Sequence, residues 1–201
     1  MIGIVDYGVG NVRAIANMLK AAGEESFIIN SVAAFEQASK IILPGVGAFD
    51  TAMQSLQQKN FSPALHQKII VEQCQVLGIC LGMQLLMEGS EEGKEKGLGW
   101  IPGFAYRFPQ LANLKVPHMQ WNNVQNIQPC QLTEGINNRS KFYFVHSYFV
   151  KVKDSTHSLL QTNYGITFNS GVQKNHISGV QFHPERSHKY GLQILSNFAR
   201  L

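Results

Sequence analysis

Gln75-Val-Leu-Gly-Ile-Cys80-Leu-Gly-Met-Gln84 is the stretch on which the fold turns. An apolar run, Val76 to Ile79, ends on a cysteine set between Gly78 and Gly82, and a helical segment, Leu81 to Met87, leaves it. A strand that turns sharply into a helix around one nucleophile is the G-x-nucleophile-x-G elbow, here with Cys in place of Ser. The glycines let the chain turn without side-chain clashes, so Cys80 is expected at the carboxyl end of a strand and the amino end of a helix. The helix dipole there favours a thiolate. The next N–H, that of Leu81, is placed to donate to an oxyanion. Gln84 lies one helical turn on, on the same face, where its amide can hold a polar substrate. The competing explanation is a core cysteine between two packing glycines.

Outward from the elbow, the first half alternates strand and helix. Ile2 to Val5, Ser26 to Ile29 and Ile41 to Leu43 read as strands. Asn11 caps a helix to about Ala22, ended by Gly23. A second helix runs from Phe49 to about Lys59, and Ser62-Pro63 opens a third to about Gln73. This alternation predicts an α/β fold, a mostly parallel sheet with helices on both faces. Beyond Leu98, short β-type runs follow: Phe104 to Phe108, Asn123 to Ile127, Phe142 to Val150, Ser158 to Thr162, Ile166 to Phe168 and Ile177 to Phe182. They predict antiparallel strands added to that sheet. A last helix runs from about Lys189 to Phe198. No linker or repeat divides the chain, which reads as a single domain over residues 1–201.

A thiol nucleophile needs a base and an orienter. His183 ends a β-type run in Gly179-Val-Gln-Phe-His183-Pro-Glu185, where Pro184 stops ladder pairing. Glu185 can accept from the imidazole and fix its tautomer. Cys80, His183 and Glu185 therefore form a candidate triad. Pro44-Gly45-Val46-Gly47 follows the third strand, and its glycines allow N–H groups of Val46 or Gly47 to turn toward an anion. Ser147 and Tyr148 are candidates to hydrogen-bond a small polar substrate, or members of an ordinary strand. Trp121 is either core or an interface anchor.

Composition closes off other classes. Seventeen Lys and Arg against thirteen Asp and Glu give a net charge of +4, with no basic run that would make a nucleic-acid footprint. Apolar residues are 44% and charged residues 15%, which excludes disorder and coiled coil. Three cysteines with no CxxC argue against a disulfide framework and for a reducing, cytoplasmic setting. No apolar run approaches the roughly 18 residues of a membrane span. Gly8-Val-Gly10 lacks the third glycine and the acid of a dinucleotide site. His118, His146 and Cys130 lack metal-ligand spacing, so no metal is expected.

The segments DYGVGN (6–11), PGVGAF (44–49), GICLGMQLL (78–86) and QFHPERS (181–187) together resemble the class I, triad-type glutamine amidotransferases, in family order and over nearly the whole chain. DYGVGNVRAI, SEEGKEKGLGWIPG, KVPHMQWN and YFVHSYFV look most like the glutaminase subunits of imidazole glycerol phosphate synthases. The resemblance implies that Cys80 attacks the side-chain amide of L-glutamine and forms a thioester. His183 shuttles the proton and Glu185 orients it. Val46, Gly47 and Leu81 form the oxyanion hole, and Gly45, Gln84, Ser147 and Tyr148 bind substrate. Ammonia passes to a (β/α)8 cyclase subunit in a heterodimer of histidine biosynthesis, with Asn11, Trp121 and Arg186 at the interface. No cofactor is implied.

Two positions depart from the family. Gln120 stands where relatives carry glycine in HMGWN, and Arg186 where they carry lysine in HPEKS. Arg keeps the charge but not the compact head of an ammonium. These changes leave open a paralogous subunit that feeds a sugar-modifying synthase of surface polysaccharide assembly. A free-standing γ-glutamyl cysteine hydrolase and a non-catalytic module on the same fold are the readings from other classes. The first predicts turnover without a partner, and the second predicts no alkylation of Cys80 by a glutamine-mimicking electrophile.

Overall fold

A computed structural model describes residues 1–112 and 114–201. The first half builds β1 (Ile2–Val5), α1 (Val12–Ala21), β2 (Ser26–Ile29), β3 (Lys40–Leu43), α2 (Phe49–Gln58), α3 (Phe61–His66), β4 (Gln75–Ile79) and α4 (Leu81–Leu85). The second half adds β5 (Gly103–Arg107), β6 (His118–Asn123), β7 (Gln125–Asn126), β8 (Lys141–His146), β9 (Tyr148–Val152), β10 (Ser158–Tyr164), β11 (Ile166–Lys174), β12 (Ile177–Val180) and α5 (His188–Arg200).

Five strands, in the order β2-β1-β3-β4-β12, are parallel. Every residue of β1 and β12 is buried, as continuous apolar runs covered on both faces must be. One face packs Ile15 and Leu19 of α1 with Ile194, Leu195 and Phe198 of α5. The other packs Phe49, Met53 and Leu56 of α2 with Phe61 and Leu65 of α3. The expected α/β architecture is therefore present, with β11, β10 and β7 continuing the sheet antiparallel beyond β12.

Four local expectations are corrected. Ile177–Val180 is parallel to β4 and belongs to the core, although its sequence lies among the antiparallel strands. Phe142 to Val150 is two strands: β8 pairs β6 in a separate two-stranded sheet, whereas β9 pairs β5 and β11. The chain changes sheets at Ser147, whose carbonyl accepts the Phe108 N–H at 3.1 Å. His118–Asn123, which precedes the β-type run expected from Asn123, is the partner strand of β8. The helix placed at Ser62-Pro63 starts at Phe61, with Asn60 rather than Ser62 as its cap, and the segment Gln67–Val71 winds as a π-helix. Asn11 does cap α1, accepting the Ala14 N–H at 3.2 Å.

Parallel pairing sets the site. Leu43 lies beside Gly78 and Ile79 beside Val180, so the chain leaves β3, β4 and β12 at one edge of the sheet. The carboxyl edge of an open α/β sheet is where such folds gather functional residues. Pro44–Gly47 and Cys80 follow directly from the ends of β3 and β4, and His183 comes just beyond β12, after Gln181 and Phe182.

Candidate active site

Cys80 has φ 54° and ψ −110°, a backbone state that side chains rarely adopt. Surrounding contacts hold it there. A Cβ on Gly82 would collide with the Leu43 carbonyl, and one on Gly78 would come within 2.7 Å of the Gly82 carbonyl oxygen. Strand β4 and helix α4 thus approach through bare backbone, and Cys80 projects from the bend between them. Its N–H is tied to the Val180 carbonyl at 2.8 Å, which joins the elbow to the end of β12.

The thiol opens on a cavity of about 330 Å³ lined by Val46, Gly47, Cys80, Leu81, Gln84, Glu92, Pro117, Val145, His146, Ser147, Tyr148 and His183. A larger, shallower concavity of about 940 Å³ lies between Asn126 and Arg139, on another segment of the chain. Its thiol, Cys130, has no imidazole beside it among the lining residues, so the smaller cavity is the candidate site. His183 is buried, and its Nδ1 lies 2.8 Å from Glu185 Oε1. Since a carboxylate accepts, Nδ1 carries the proton and Nε2 is left for the cavity side. Among the described residues, Nε2 has no hydrogen-bond partner within ordinary geometry. Burial pulls the imidazole pKa down, but the charge of a Cys80 thiolate and the Glu185 carboxylate outweigh it and push it up to about 10. Beside a thiolate the ring therefore holds its second proton, braced by the carboxylate.

A nucleophile elbow, a buried imidazole and a glycine loop converge on one cavity, and the family model for class-I glutamine amidotransferases matches residues 3–201. The chain belongs to the class-I glutamine amidotransferases. It is similar to imidazole glycerol phosphate synthase subunit HisH 2 of Pseudomonas aeruginosa, 46% identical over 201 residues and covering 100% of both chains. It is similar also to subunit HisH 2 of Methanococcus maripaludis, 44% identical over 200 residues, covering 100% of this chain and 99% of that one. A crystal structure of a glutamine amidotransferase shares the fold at 18% identity, with TM-score 0.73 over 100% of this chain and 99% of the other.

Within this amidotransferase site, the expected residues fall into three groups. Cys80, His183, Val46, Gly47, Leu81, Gln84, Ser147 and Tyr148 line the cavity, and Glu185 stands behind His183. Gly45 is a correction. It is buried behind the loop, where a Cβ would meet the Tyr7 hydroxyl, Leu81 Cβ and Gly82 N at 2.9 Å each, so it packs the loop and does not line the cavity. Gln84 is also read differently. Its amide nitrogen donates to the Tyr148 carbonyl at 3.1 Å and to Gln181 Oε1 at 3.2 Å, which leaves only its carbonyl oxygen for a ligand. Asn11, Trp121 and Arg186 are exposed and outside the cavity; Arg186 lies over the Tyr143 ring.

Four contributors escaped the sequence reading. Glu92 is a carboxylate on the cavity wall, held where its Oε2 accepts the Phe49 N–H at 2.9 Å; burial pushes its pKa up. Asp50 fixes the following turn by accepting the N–H groups of Lys94 and Glu95. Those donors hold the Asp50 carboxyl below its usual range. Gln181, fully buried, donates to Cys80 Sγ at 3.7 Å. Alternation along the strand was the available signal for Gln181, since it stands two residues before His183. Tyr7 adds a fourth support: its hydroxyl donates to the Pro44 carbonyl at 2.6 Å and anchors the glycine loop from beneath.

Proposed function

We propose that this amidotransferase is the glutaminase subunit of an imidazole glycerol phosphate synthase. It hydrolyses L-glutamine and passes ammonia to a (β/α)8 cyclase subunit in a cytoplasmic heterodimer of histidine biosynthesis. Full-length similarity to two HisH subunits supports the assignment. The observation that carries the chemistry is the placement of Cys80, the 46–47 loop and the His183–Glu185 pair around one small cavity.

The Cys80 sulfur attacks the side-chain amide carbon. The developing oxyanion meets the Leu81 N–H, which as the first N–H of α4 has no intrahelical acceptor, and an N–H of the Val46–Gly47 loop. His183 gives its Nε2 proton to the departing nitrogen, so ammonia leaves and a γ-glutamyl thioester remains. His183 then takes a proton from water, which cleaves the thioester to glutamate and returns the thiolate–imidazolium pair. Glu185 keeps the ring in the Nδ1–H form throughout. Glu92 offers a carboxylate to the α-ammonium of glutamine, while the Gln84 carbonyl and Ser147–Tyr148 supply neutral polar contacts. A cavity of about 330 Å³ is at the small end of ligand sites, which run from about 300 to 1,000 Å³. It suits a single amino acid better than a γ-glutamyl peptide.

Free ammonia is mostly ammonium at neutral pH and a poor nucleophile, so a docked consumer preserves it. β6 leaves Met119 and Trp121 uncovered, at 60% and 42% exposure, a face suited to that partner. The test is glutamate release from L-glutamine by the protein alone, and then with the cyclase subunit and its ribonucleotide ligand. Strong release in the second mixture alone is the expected result; equal release in both argues for an independent hydrolase.

One observation favours a second reading. Gln120 and Arg186, both exposed, stand where the family resemblance expects glycine and lysine. A paralogous glutaminase for a sugar-modifying synthase keeps the same site and changes the partner. Stimulation by that synthase and none by the cyclase is the outcome that selects it.

A further inference from the structure

Two buried histidines take no part in the proposed chemistry: His146 lines the cavity and His118 stands behind it. His118 and His146 are cross-strand partners in β6 and β8. Their rings meet through Nδ1 of His118 and Nε2 of His146 at 2.9 Å. His146 Nδ1 lies 2.7 Å from the Tyr148 carbonyl. A carbonyl only accepts, so His146 Nδ1 carries a proton. A neutral ring then has a lone pair at Nε2, which accepts the Nδ1–H of His118. His118 Nε2 is left as an acceptor, and Asn122 Nδ2 faces it at 3.4 Å. The Asn122 amide is oriented by its own donation to the Asn163 carbonyl at 3.0 Å. Every proton in the row is assigned by the groups at its two ends.

Surroundings keep both rings neutral and still. His118 is sandwiched between Tyr164, at 3.9 Å, and Phe144, at 4.8 Å. Phe108 and Phe168 enclose His146, each with its ring centre 5.2 Å away. Burial lowers the pKa of His118 to about 4 and that of His146 to about 3. The Tyr148 carbonyl at the end of the row also accepts the Gln84 amide, and Gln84 in turn meets Gln181, which touches the Cys80 sulfur.

We propose that His118 and His146 are positioning residues for glutamine binding: their one-way hydrogen-bond row, Asn122 to His118 to His146 to the Tyr148 carbonyl, fixes the Ser147–Tyr148 wall and the Gln84 amide against which the substrate lies. Ser147 is where the chain changes sheets; its carbonyl takes the Phe108 N–H and Tyr148 pairs with Arg107 on one side, and the row adds a restraint from the β6–β8 side. The inference rests on the glutaminase reading for its kinetic consequence and on geometry alone for its proton assignment.

Two measurements decide it. In His118→Phe the ring shape is kept and the donor lost; assayed in the complex with the synthase partner, the glutamine KM should rise roughly tenfold while kcat changes much less. His118→Asn places an amide N–H where Nδ1–H stood and should restore KM to near the wild-type value. Equal KM in wild type and His118→Phe, or equal rises in both variants at matched urea midpoints, overturns the proposal. The second measurement is the ¹⁵N spectrum of histidine-labelled wild type, which needs neither turnover nor a variant that folds. Both rings are expected as Nδ1–H tautomers with bare Nε2 from pH 8 to pH 6, and an Nε2–H form of either overturns the row. A wild type silent toward glutamine even with either synthase partner and its ligand, while its rings show the expected tautomers, would sink the glutaminase reading and leave the row standing.

Discussion

The amide of Gln181 donates to the sulfur of Cys80 across 3.7 Å, and its carbonyl accepts from Gln84. One fully buried side chain thus joins the nucleophile to the substrate wall. Gln181→Met keeps the length and loses both functions. A hydrogen bond to a charged group is worth about 1.5–3 kcal/mol, so kcat/KM for glutamine should fall at least tenfold in a folded variant. Steady-state glutamate release checks this, and an unchanged value removes Gln181 from the site.

Glu185 raises the affinity of His183 for its proton, and the Cys80 thiolate does so more strongly. The imidazolium form is lost as pH rises through about 10. Replacing Glu185 with Gln keeps the hydrogen-bond geometry but removes one of the charges that hold the pKa up. The alkaline limb of kcat/KM should therefore move to lower pH, toward the ordinary histidine range, and turnover at pH 7 should drop. A limb that stays in place in Glu185→Gln means His183 is not the group that sets it.

The glycines of the site separate by mechanism. Gly82 has no room, because a Cβ meets the Leu43 carbonyl, whereas Gly47 has open space and φ +98°. Gly82→Ala forces apart the backbones of β3 and α4 and should destabilise by about 3 kcal/mol or more, as overpacked cores do. Gly47→Ala carries only the left-handed backbone penalty, roughly 1–2 kcal/mol. It should fold and lose turnover, because the oxyanion loop relaxes to negative φ. Urea midpoints and glutamate release on both variants test the pair; a stable Gly82→Ala contradicts the packing.

What the sequence disclosed is what neighbours in sequence determine. The bend at Cys80 follows from Gly78 and Gly82 a few residues away, and the His183–Glu185 contact spans two positions. Asn11 caps its helix through a residue three further on. The missed features depend on strand choice. Phe142 to Val150 reads as one continuous β-type run, so nothing local marks Ser147 as the change of sheets. The pairing of His118 with His146 across 28 residues exists only through the β6–β8 register. Glu92 reaches the cavity because α2 supplies the Phe49 N–H and Asp50 ties down the turn, and neither is adjacent in sequence.

Acid should weaken the protein through the same two buried rings. His118 and His146 have folded pKa values of about 4 and about 3, below the 6.5 of an unperturbed histidine. The unfolded chain binds protons first as pH falls, so this stabilisation is complete above about 6.5 and is lost progressively toward pH 4. The urea midpoint should fall between pH 7 and pH 5. The fall should be shallower in a His118→Phe variant, which has one such ring fewer. A midpoint flat over that interval contradicts the burial of neutral imidazoles.

Trp121 sits on β6 with its ring parallel to His188, 5.2 Å between centres and 4° between planes, yet 42% of it stays exposed. The stack fixes the indole without covering it, so little entropy remains to be lost when a partner does. Preordered aromatics of this kind dominate interfaces. Trp121→Ala should leave the glutaminase cavity intact, since Trp121 does not line it. Association with the synthase subunit should weaken by roughly 2 kcal/mol or more, about thirtyfold in Kd. Titration calorimetry with the cyclase subunit measures this directly. An unchanged Kd would move the docking face off β6, and a change confined to the sugar-modifying synthase would assign the same face to that partner.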